Sequence, residues 1–275
     1  MKQTVVITGL AQGMGRETAL LLAKSGTSIA GFDMDATGIE SLGKELDAAG
    51  CEHHLEVMDI TKRPEILKFR DRVLDKFGHV DVVLSNAGVA FFSPFEEVDL
   101  ERALKCLEIN VLGCAAIFQA FLPSMRERGK GKLVAVSSMV GQIPFPFESI
   151  YCASKFAVEG MVNSMRLEVE PFGIKVALIQ PAQVSTKFAA KSHALPTESS
   201  PYRKRAEKFT ETDHELIKSA PTPQEAAKIF VKVIKSSNPP INTQLDSKGA
   251  MLAQLNKILP TRMRDNMLLG HMGIK

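Results

Sequence analysis

Tyr151 is followed four residues later by Lys155. Ala153, Phe156, Ala157, Val158 and Met161 predict a helix around them, and on a helix an i,i+4 pair shares one face with its side chains adjacent. A phenol and an ammonium then occupy one site. Free tyrosine titrates near ~10, and a fixed positive charge beside it favours the phenolate, so the spacing predicts a Tyr151 that exchanges protons near neutral pH. Upstream, the apolar run 133–136 reads as a buried strand ending in Ser137 and Ser138, which sets a hydroxyl at a strand's carboxyl end. In a parallel sheet, ligands bind at that edge. A Tyr-x-x-x-Lys pair is also an ordinary surface contact worth about 0.2–0.5 kcal/mol. What the pair can do is therefore decided by the elements that position it.

Thr4–Thr8 reads as a buried strand and Gly13–Lys24 as a helix, with Ala19, Leu20, Leu22 and Ala23 available for packing. The turn between them is Gly9-Leu10-Ala11-Gln12-Gly13-Met14-Gly15. Glycines there permit positive φ and close backbone approach, and the free N–H groups of the following helix suit a pyrophosphate. The second strand, Ser28–Asp33, ends in a carboxylate about two dozen positions beyond Gly9. A carboxylate at this place binds the adenosine ribose hydroxyls and repels a 2′-phosphate, so Asp33 argues for NAD, with NADP the lesser alternative. Arg16 is the nearest cation. The competing job for Asp33, capping the helix that starts near Ala36, falls more naturally to Asp35.

A third strand spans about 52–58 and leads into Asp59-Ile60-Thr61, and a helix follows over about 64–77 with Pro64 in its first turn. A fourth strand at 80–84 ends in Ser85-Asn86-Ala87-Gly88. One long helix is expected over about 95–125 with Asn110 inside it, where asparagine is a poor helix former. The helix around Tyr151 extends to about 171, and a sixth strand at 174–179 runs into Pro181-Ala182-Gln183-Val184-Ser185-Thr186. Strands alternating with helices define an α/β fold, a doubly wound parallel sheet of the Rossmann type in a single domain. Within it, residues 1–190 form the dinucleotide-binding and catalytic core. Residues 191–275 add a polar substrate loop, helices at about 203–219 and 223–235, a short strand at 241–245 and a Met-rich, basic C-terminal extension.

At 275 residues and 45% hydrophobic content, the chain has enough apolar material for one large domain. A net charge of only +3, with no dense basic run, argues against a nucleic-acid partner. Cys51, Cys106, Cys114 and Cys152 are scattered without a C-x-x-C pair, which suits reduced thiols and a cytoplasmic location, and no metal-ligand spacing is present. The first strand starts almost at Met1 and no uncharged apolar run approaches ~20 residues, so neither a signal peptide nor a transmembrane segment is expected.

These motifs together resemble the short-chain dehydrogenase/reductase family over about residues 2–187. They stand in family order: Thr8-Gly9-x-x-x-Gly13-x-Gly15, Asp33, Asp59, Asn86-Ala87-Gly88, Asn110, Ser138 and Tyr151-x-x-x-Lys155. The resemblance implies hydride transfer between a secondary alcohol or ketone and a nicotinamide cofactor. It makes Tyr151 the proton-transfer group and gives Ser138 the substrate oxygen. Lys155 would take the nicotinamide ribose, and Asn110 a water that links Lys155 to solvent. It also implies cofactor contacts from Thr8, Gly9, Gly13, Met14, Gly15, Asp33, Asp59 and Ile60 near the adenosine and pyrophosphate. Asn86, Ala87, Gly88, Tyr151, Lys155, Pro181, Val184 and Thr186 would make the contacts closer to the nicotinamide. A homodimer or homotetramer is the family expectation. Two departures stand out: Ser85 replaces an asparagine, and Ala182 replaces a glycine, which would strain the chain if that position needs positive φ.

Phe91, Phe92 and Phe95, then Phe145 and Phe147, then Phe188, all follow strands at the predicted ligand edge. They predict an apolar pocket wall and hence a lipophilic steroid-, retinoid- or lipid-like alcohol or ketone, with packing as loop anchors the alternative. An epimerase or dehydratase is disfavoured by the glycine spacing. The other class of reading is a non-catalytic dinucleotide sensor or scaffold, which would often lack the Tyr or Lys.

Overall fold

The computed structural model describes residues 2–185 and 195–275. Among them, seven parallel strands form one sheet in the order β3-β2-β1-β4-β5-β6-β7: β1 (Thr4–Thr8), β2 (Ser28–Asp33), β3 (His53–Val57), β4 (Val82–Ser85), β5 (Gly131–Val136), β6 (Ile174–Gln180) and β7 (Asn242–Gln244). Parallel strands covered on both faces read as continuous apolar runs, which is why Val5, Val6 and Ile7 are all fully buried. Alternate residues serve opposite layers. Val6 packs with α3 (Arg63–Phe77), α5 (Gly113–Glu127) and α6 (Ser149–Val169) through Phe69, Phe118, Phe121 and Val158. Val5 and Ile7 pack with α1 (Gly13–Lys24), α2 (Ala36–Ala48) and α8 (Pro223–Lys235) through Leu22, Leu42 and Phe230. The strand order reverses between β1 and β4, and a crevice at the carboxyl ends of the strands follows from that reversal.

The single helix expected over 95–125 is not continuous. A short 3₁₀ turn, Phe95–Glu97, precedes α4 (Leu100–Leu107), which Asp99 caps by accepting from the N–H groups of Glu101 and Arg102. A π-helical turn, Glu108–Leu112, then joins α4 to α5. Apolar periodicity does not register one extra residue per turn, so the break is invisible in the pattern. The stretch Leu100–Glu127 is nevertheless long and apolar enough to cross a membrane by length and composition, yet Ile117, Phe118, Phe121 and Met125 in it are buried against the sheet. The last part of the chain contributes α7 (Arg203–Lys218), the edge strand β7, α9 (Ser247–Ile258) and α10 (Thr261–His271).

Behind the sheet, the Lys132 ammonium donates to the carbonyls of Val233, Ile234 and Ser236 at 3.2, 2.6 and 2.5 Å, closing the C-terminal end of α8. All four cysteines are buried and free.

Candidate active site

The turn after β1 is fixed by contacts with the end of β4. The Thr8 hydroxyl accepts from the N–H groups of Asn86 and Ala87 at 3.1 and 3.0 Å, and the Asn86 amide donates to the carbonyls of Thr8 and Gly9 at 3.1 and 2.8 Å. Gly9 sits at φ 69°, and a Cβ there would lie 2.7 Å from the Ala87 Cα. A Cβ on Gly15 would lie 2.4 Å from the Gly9 carbonyl oxygen, so the helix start can approach the turn only without a side chain. Gly13 also has positive φ, at 59°. Gln12 gives α1 no side-chain cap, which leaves the first-turn N–H groups to an anion at the crevice. Met14 is half-buried against the neighbouring core.

At the end of β2, the Asp33 carboxylate accepts from the N–H of Ala11 at 3.0 Å and of Asp35 at 3.1 Å, and it remains half-buried at the crevice. Asp35, as expected, caps α2 by accepting from Gly38 N–H at 3.0 Å. The Arg16 guanidinium bonds the Ala11 and Gly38 carbonyls and the Glu45 carboxylate. Asp59 accepts from both the N–H and the hydroxyl of Thr61 at 2.9 Å. Partial burial raises its pKa, but those bonds and the nearby Lys105 outweigh it and hold the carboxyl below its usual range. The Ile60 side chain faces the core, where a Cβ on Gly113 would meet it at 3.0 Å.

Asn110 lies in the π-helical turn, only 2% exposed. Its carbonyl oxygen accepts from Val89 N–H at 2.8 Å, and its amide donates to the Val89 carbonyl and the Ser154 hydroxyl, both at 2.9 Å. Ser154 in turn donates to the Tyr151 carbonyl at 2.7 Å. One asparagine thus ties the loop after β4 to the helix that carries Tyr151 and Lys155. Gly88 completes the junction: a Cβ there would lie 3.2 Å from Asn110 Oδ1 and 3.7 Å from Lys155 Nζ. Ser154 was not singled out from the sequence, although a serine in the interior of an otherwise apolar helical face is a signal for a partnered hydroxyl.

Ser138 follows β5; its hydroxyl donates to the Pro181 carbonyl at 3.3 Å and accepts from Val140 N–H at 3.3 Å. Pro181 and Val184, just after β6, are buried. The Ala182 position shows no strain, because the only non-glycine residue with positive φ among the described residues is Phe147, at 64°. Thr186 and Phe188 lie outside the described residues.

Tyr151 and Lys155 are both buried and share a helix face, with Lys155 Nζ 5.7 Å from the centre of the Tyr151 ring. The ammonium stands within cation–π range of the Tyr151 ring. It reaches past the ring to donate to the Val136 carbonyl at 2.9 Å. Against the expected shift of Tyr151 toward the phenolate, its surroundings favour the neutral phenol. Burial pushes the phenol above its usual range, the Glu148 carboxylate adds to this, and a hydrogen bond with Ser138 offsets part of it. Burial also lowers Lys155 to about 8. Glu148, just before α6, is pushed up to about 8 by burial and by the charge of Asp213 on α7.

The aromatic residues form one cluster with Tyr151. Phe91, Phe92 and Phe145 are buried, and the Phe92, Phe147 and Phe209 ring centres lie 5.5–5.7 Å apart. Phe209 on α7, together with Met272 and Ile274 after α10, joins the same cluster. Phe95 does not: it is 75% exposed, because the 3₁₀ turn faces it outward, so it is no pocket wall.

A doubly wound sheet with a glycine turn, an acidic second-strand terminus and a buried Ser, Tyr and Lys at the carboxyl edge defines a dinucleotide-dependent oxidoreductase. Residues 3–195 match the short chain dehydrogenase family, and the chain belongs to it. It is 30% identical over 255 residues to human (Homo sapiens) 17-beta-hydroxysteroid dehydrogenase type 1, an alignment covering 87% of this chain and 76% of that protein. It is 28% identical over 271 residues to a 3-ketodihydrosphingosine reductase of Bacteroides thetaiotaomicron, covering 97% and 95%. Among solved structures, the alcohol dehydrogenase of Thermococcus sibiricus complexed with 5-hydroxy-NADP aligns with a TM-score of 0.75 at 26% identity, covering 89% of this chain and 96% of that one.

Proposed function

We propose that this oxidoreductase transfers hydride between a lipophilic secondary alcohol or ketone and NAD(H). The observation that carries the reading is that Ser138, Tyr151 and Lys155 are all buried at the carboxyl edge of the sheet, with Tyr151 packed in one apolar cluster with Phe91, Phe92, Phe145, Phe147 and Phe209. A nicotinamide dinucleotide supplies the hydride donor or acceptor. The residues fit it: the uncapped N-terminus of α1 suits the pyrophosphate, Asp33 the adenosine ribose, and the Gly88, Asn110 and Lys155 corner the nicotinamide end.

Tyr151 moves the proton at its hydroxyl, giving it to a ketone oxygen in reduction and taking it from the alcohol in oxidation. Its raised pKa keeps it a proton donor at neutral pH, the form reduction requires. Ser138 holds the substrate oxygen by hydrogen bonding, as it already does the phenol. Lys155, free to leave the Val136 carbonyl for a stronger partner, supplies positive charge beside the phenol as the proton departs. Asn110 keeps the loop after β4 and the Tyr151 helix in register. Asp33 supports NAD, because its carboxylate repels a 2′-phosphate and Arg16 is already paired with Glu45. The steroid and long-chain substrates in the names of the two relatives support a lipophilic substrate here.

The test compares kcat/KM for a ring alcohol of steroid type, a hexose and a short hydroxy acid with NAD. The lipophilic alcohol should lead by at least ~10-fold. A tenfold lead for the sugar or acid would overturn the pocket reading, and NADH binding without turnover of any alcohol would favour a sensor.

A further inference from the structure

Charge in this chain is unevenly placed. Residues 247–275 contain Lys248, Lys257, Arg262, Arg264 and Lys275 against a single acid, Asp265, a net of +4. The chain as a whole nets +3, so the other 246 residues together net −1. Asp265 is itself held by Arg264 at 2.7 Å. Lys257, Arg262, His271 and Lys275 are exposed.

The same segment exposes large apolar side chains. Met251 and Ile258 stand seven residues apart on one face of α9, 57% and 76% exposed. Met263 and Met267 stand four apart on one face of α10, 54% and 47% exposed. Isolated exposed apolar residues are ordinary, but here four fall on two consecutive helices among basic side chains. The opposite side of the pair is committed. Leu268, Leu269, Met272 and Ile274 pack into the cluster that holds Tyr151 and Phe209. Asn256 donates to the Gln142 carbonyl at 3.0 Å, and Arg205 to the Ile274 carbonyl at 3.0 Å.

We propose that the outer face of α9 and α10 docks this protein on an anionic lipid surface. Met251, Ile258, Met263 and Met267 would enter the boundary between headgroups and acyl chains, while Lys257, Arg262 and Lys275 face the lipid phosphates. A second copy of this chain is the wrong occupant, since a two-fold contact would bring +4 against +4. The inner side of α10 and the residues after it share the apolar cluster that holds Tyr151, so docking would bring that cluster near the phase in which a lipophilic substrate dissolves. The docking itself stands independently of that substrate reading.

The test is sedimentation of the full chain with vesicles of phosphatidylcholine alone and of phosphatidylcholine with about 30% phosphatidylserine. No turnover is needed, so failure here is separate from failure of the enzymatic reading. Binding should favour the anionic vesicles by at least ~10-fold and weaken steeply between about 0.1 and 0.5 M salt. Lys257→Glu with Arg262→Glu should weaken it by at least ~25-fold, and Ile258→Ser with Met263→Ser should also release the protein, whereas Lys44→Glu, on α2, should not. Equal binding to both vesicles, or to neither, overturns the proposal. So does a patch variant that leaves vesicle binding intact but changes the molar mass by light scattering, which would make this face a protein interface.

Discussion

Asn110→Leu probes how the site is held together. Leucine keeps the branched heavy-atom shape, though it is bulkier, and removes the hydrogen bonds to Val89 N–H (2.8 Å), the Val89 carbonyl (2.9 Å) and the Ser154 hydroxyl (2.9 Å). At about 1 kcal/mol net each, the loss would be about 3 kcal/mol, with more if every stranded partner stayed dry. Val89 is exposed enough for water to take over part of its bonding, whereas Ser154 is fully buried. The expected destabilisation is therefore about 2–3 kcal/mol, equivalent to a melting temperature lower by roughly 4–10 °C for a domain of this size. With no tryptophan in the chain, urea unfolding followed by far-UV circular dichroism is the suitable assay. Turnover should fall as well, since Asn110 bonds Ser154, the residue before Lys155, and packs beside Gly88, which lies close to the Lys155 ammonium. A loss of stability below ~1 kcal/mol would refute the view that this side chain couples the β4 loop to α6.

Asp33→Ala should weaken NAD binding while NADP binding holds or improves, measured by titrating both dinucleotides; if the wild type already turns over NADPH more efficiently than NADH, the carboxylate is not the selector. Glu148→Gln tests the buried carboxyl beside Tyr151. Because the folded protein raises Glu148 to about 8, it keeps a proton that the unfolded chain has lost, and the associated stability is present at low pH and disappears as pH rises through about 8. The glutamine variant should match the wild type near pH 5 and be more stable by roughly 1 kcal/mol or more at pH 9, and a pH-independent difference in melting temperature would refute it.

The sheet was legible because buried parallel strands announce themselves as apolar runs, and the glycine turn and Asp33 fell where the strand order implies a crevice. Asp35 took the capping role that competed for Asp33, as its place one residue before α2 suggested. The break at Glu108–Leu112 was not legible, since one extra residue in a turn leaves the apolar periodicity almost unchanged. Phe95 was read as a wall because it shares composition and neighbourhood with Phe91 and Phe92; only the 3₁₀ turn decides that it faces solvent. The Tyr151–Lys155 spacing correctly put both groups on one face, but spacing says nothing about a third partner. The Val136 carbonyl takes the ammonium, and burial then governs the phenol. Phe209 joins the cluster through a tertiary contact that no local pattern encodes, whereas Ser154 carried a local signal, a serine inside an apolar helical face, without naming Asn110 as its partner.

The central claim, that the Tyr151 hydroxyl transfers the proton, is tested most directly by Tyr151→Phe. The ring stays in its cluster, and the Lys155 ammonium keeps its bond to Val136, so the change is confined to one oxygen. Single-turnover measurement with a lipophilic alcohol and NAD should show the chemical step slowed by at least ~10²-fold, with the dissociation constant for NADH nearly unchanged. A chemical step within a few-fold of the wild type would contradict the account.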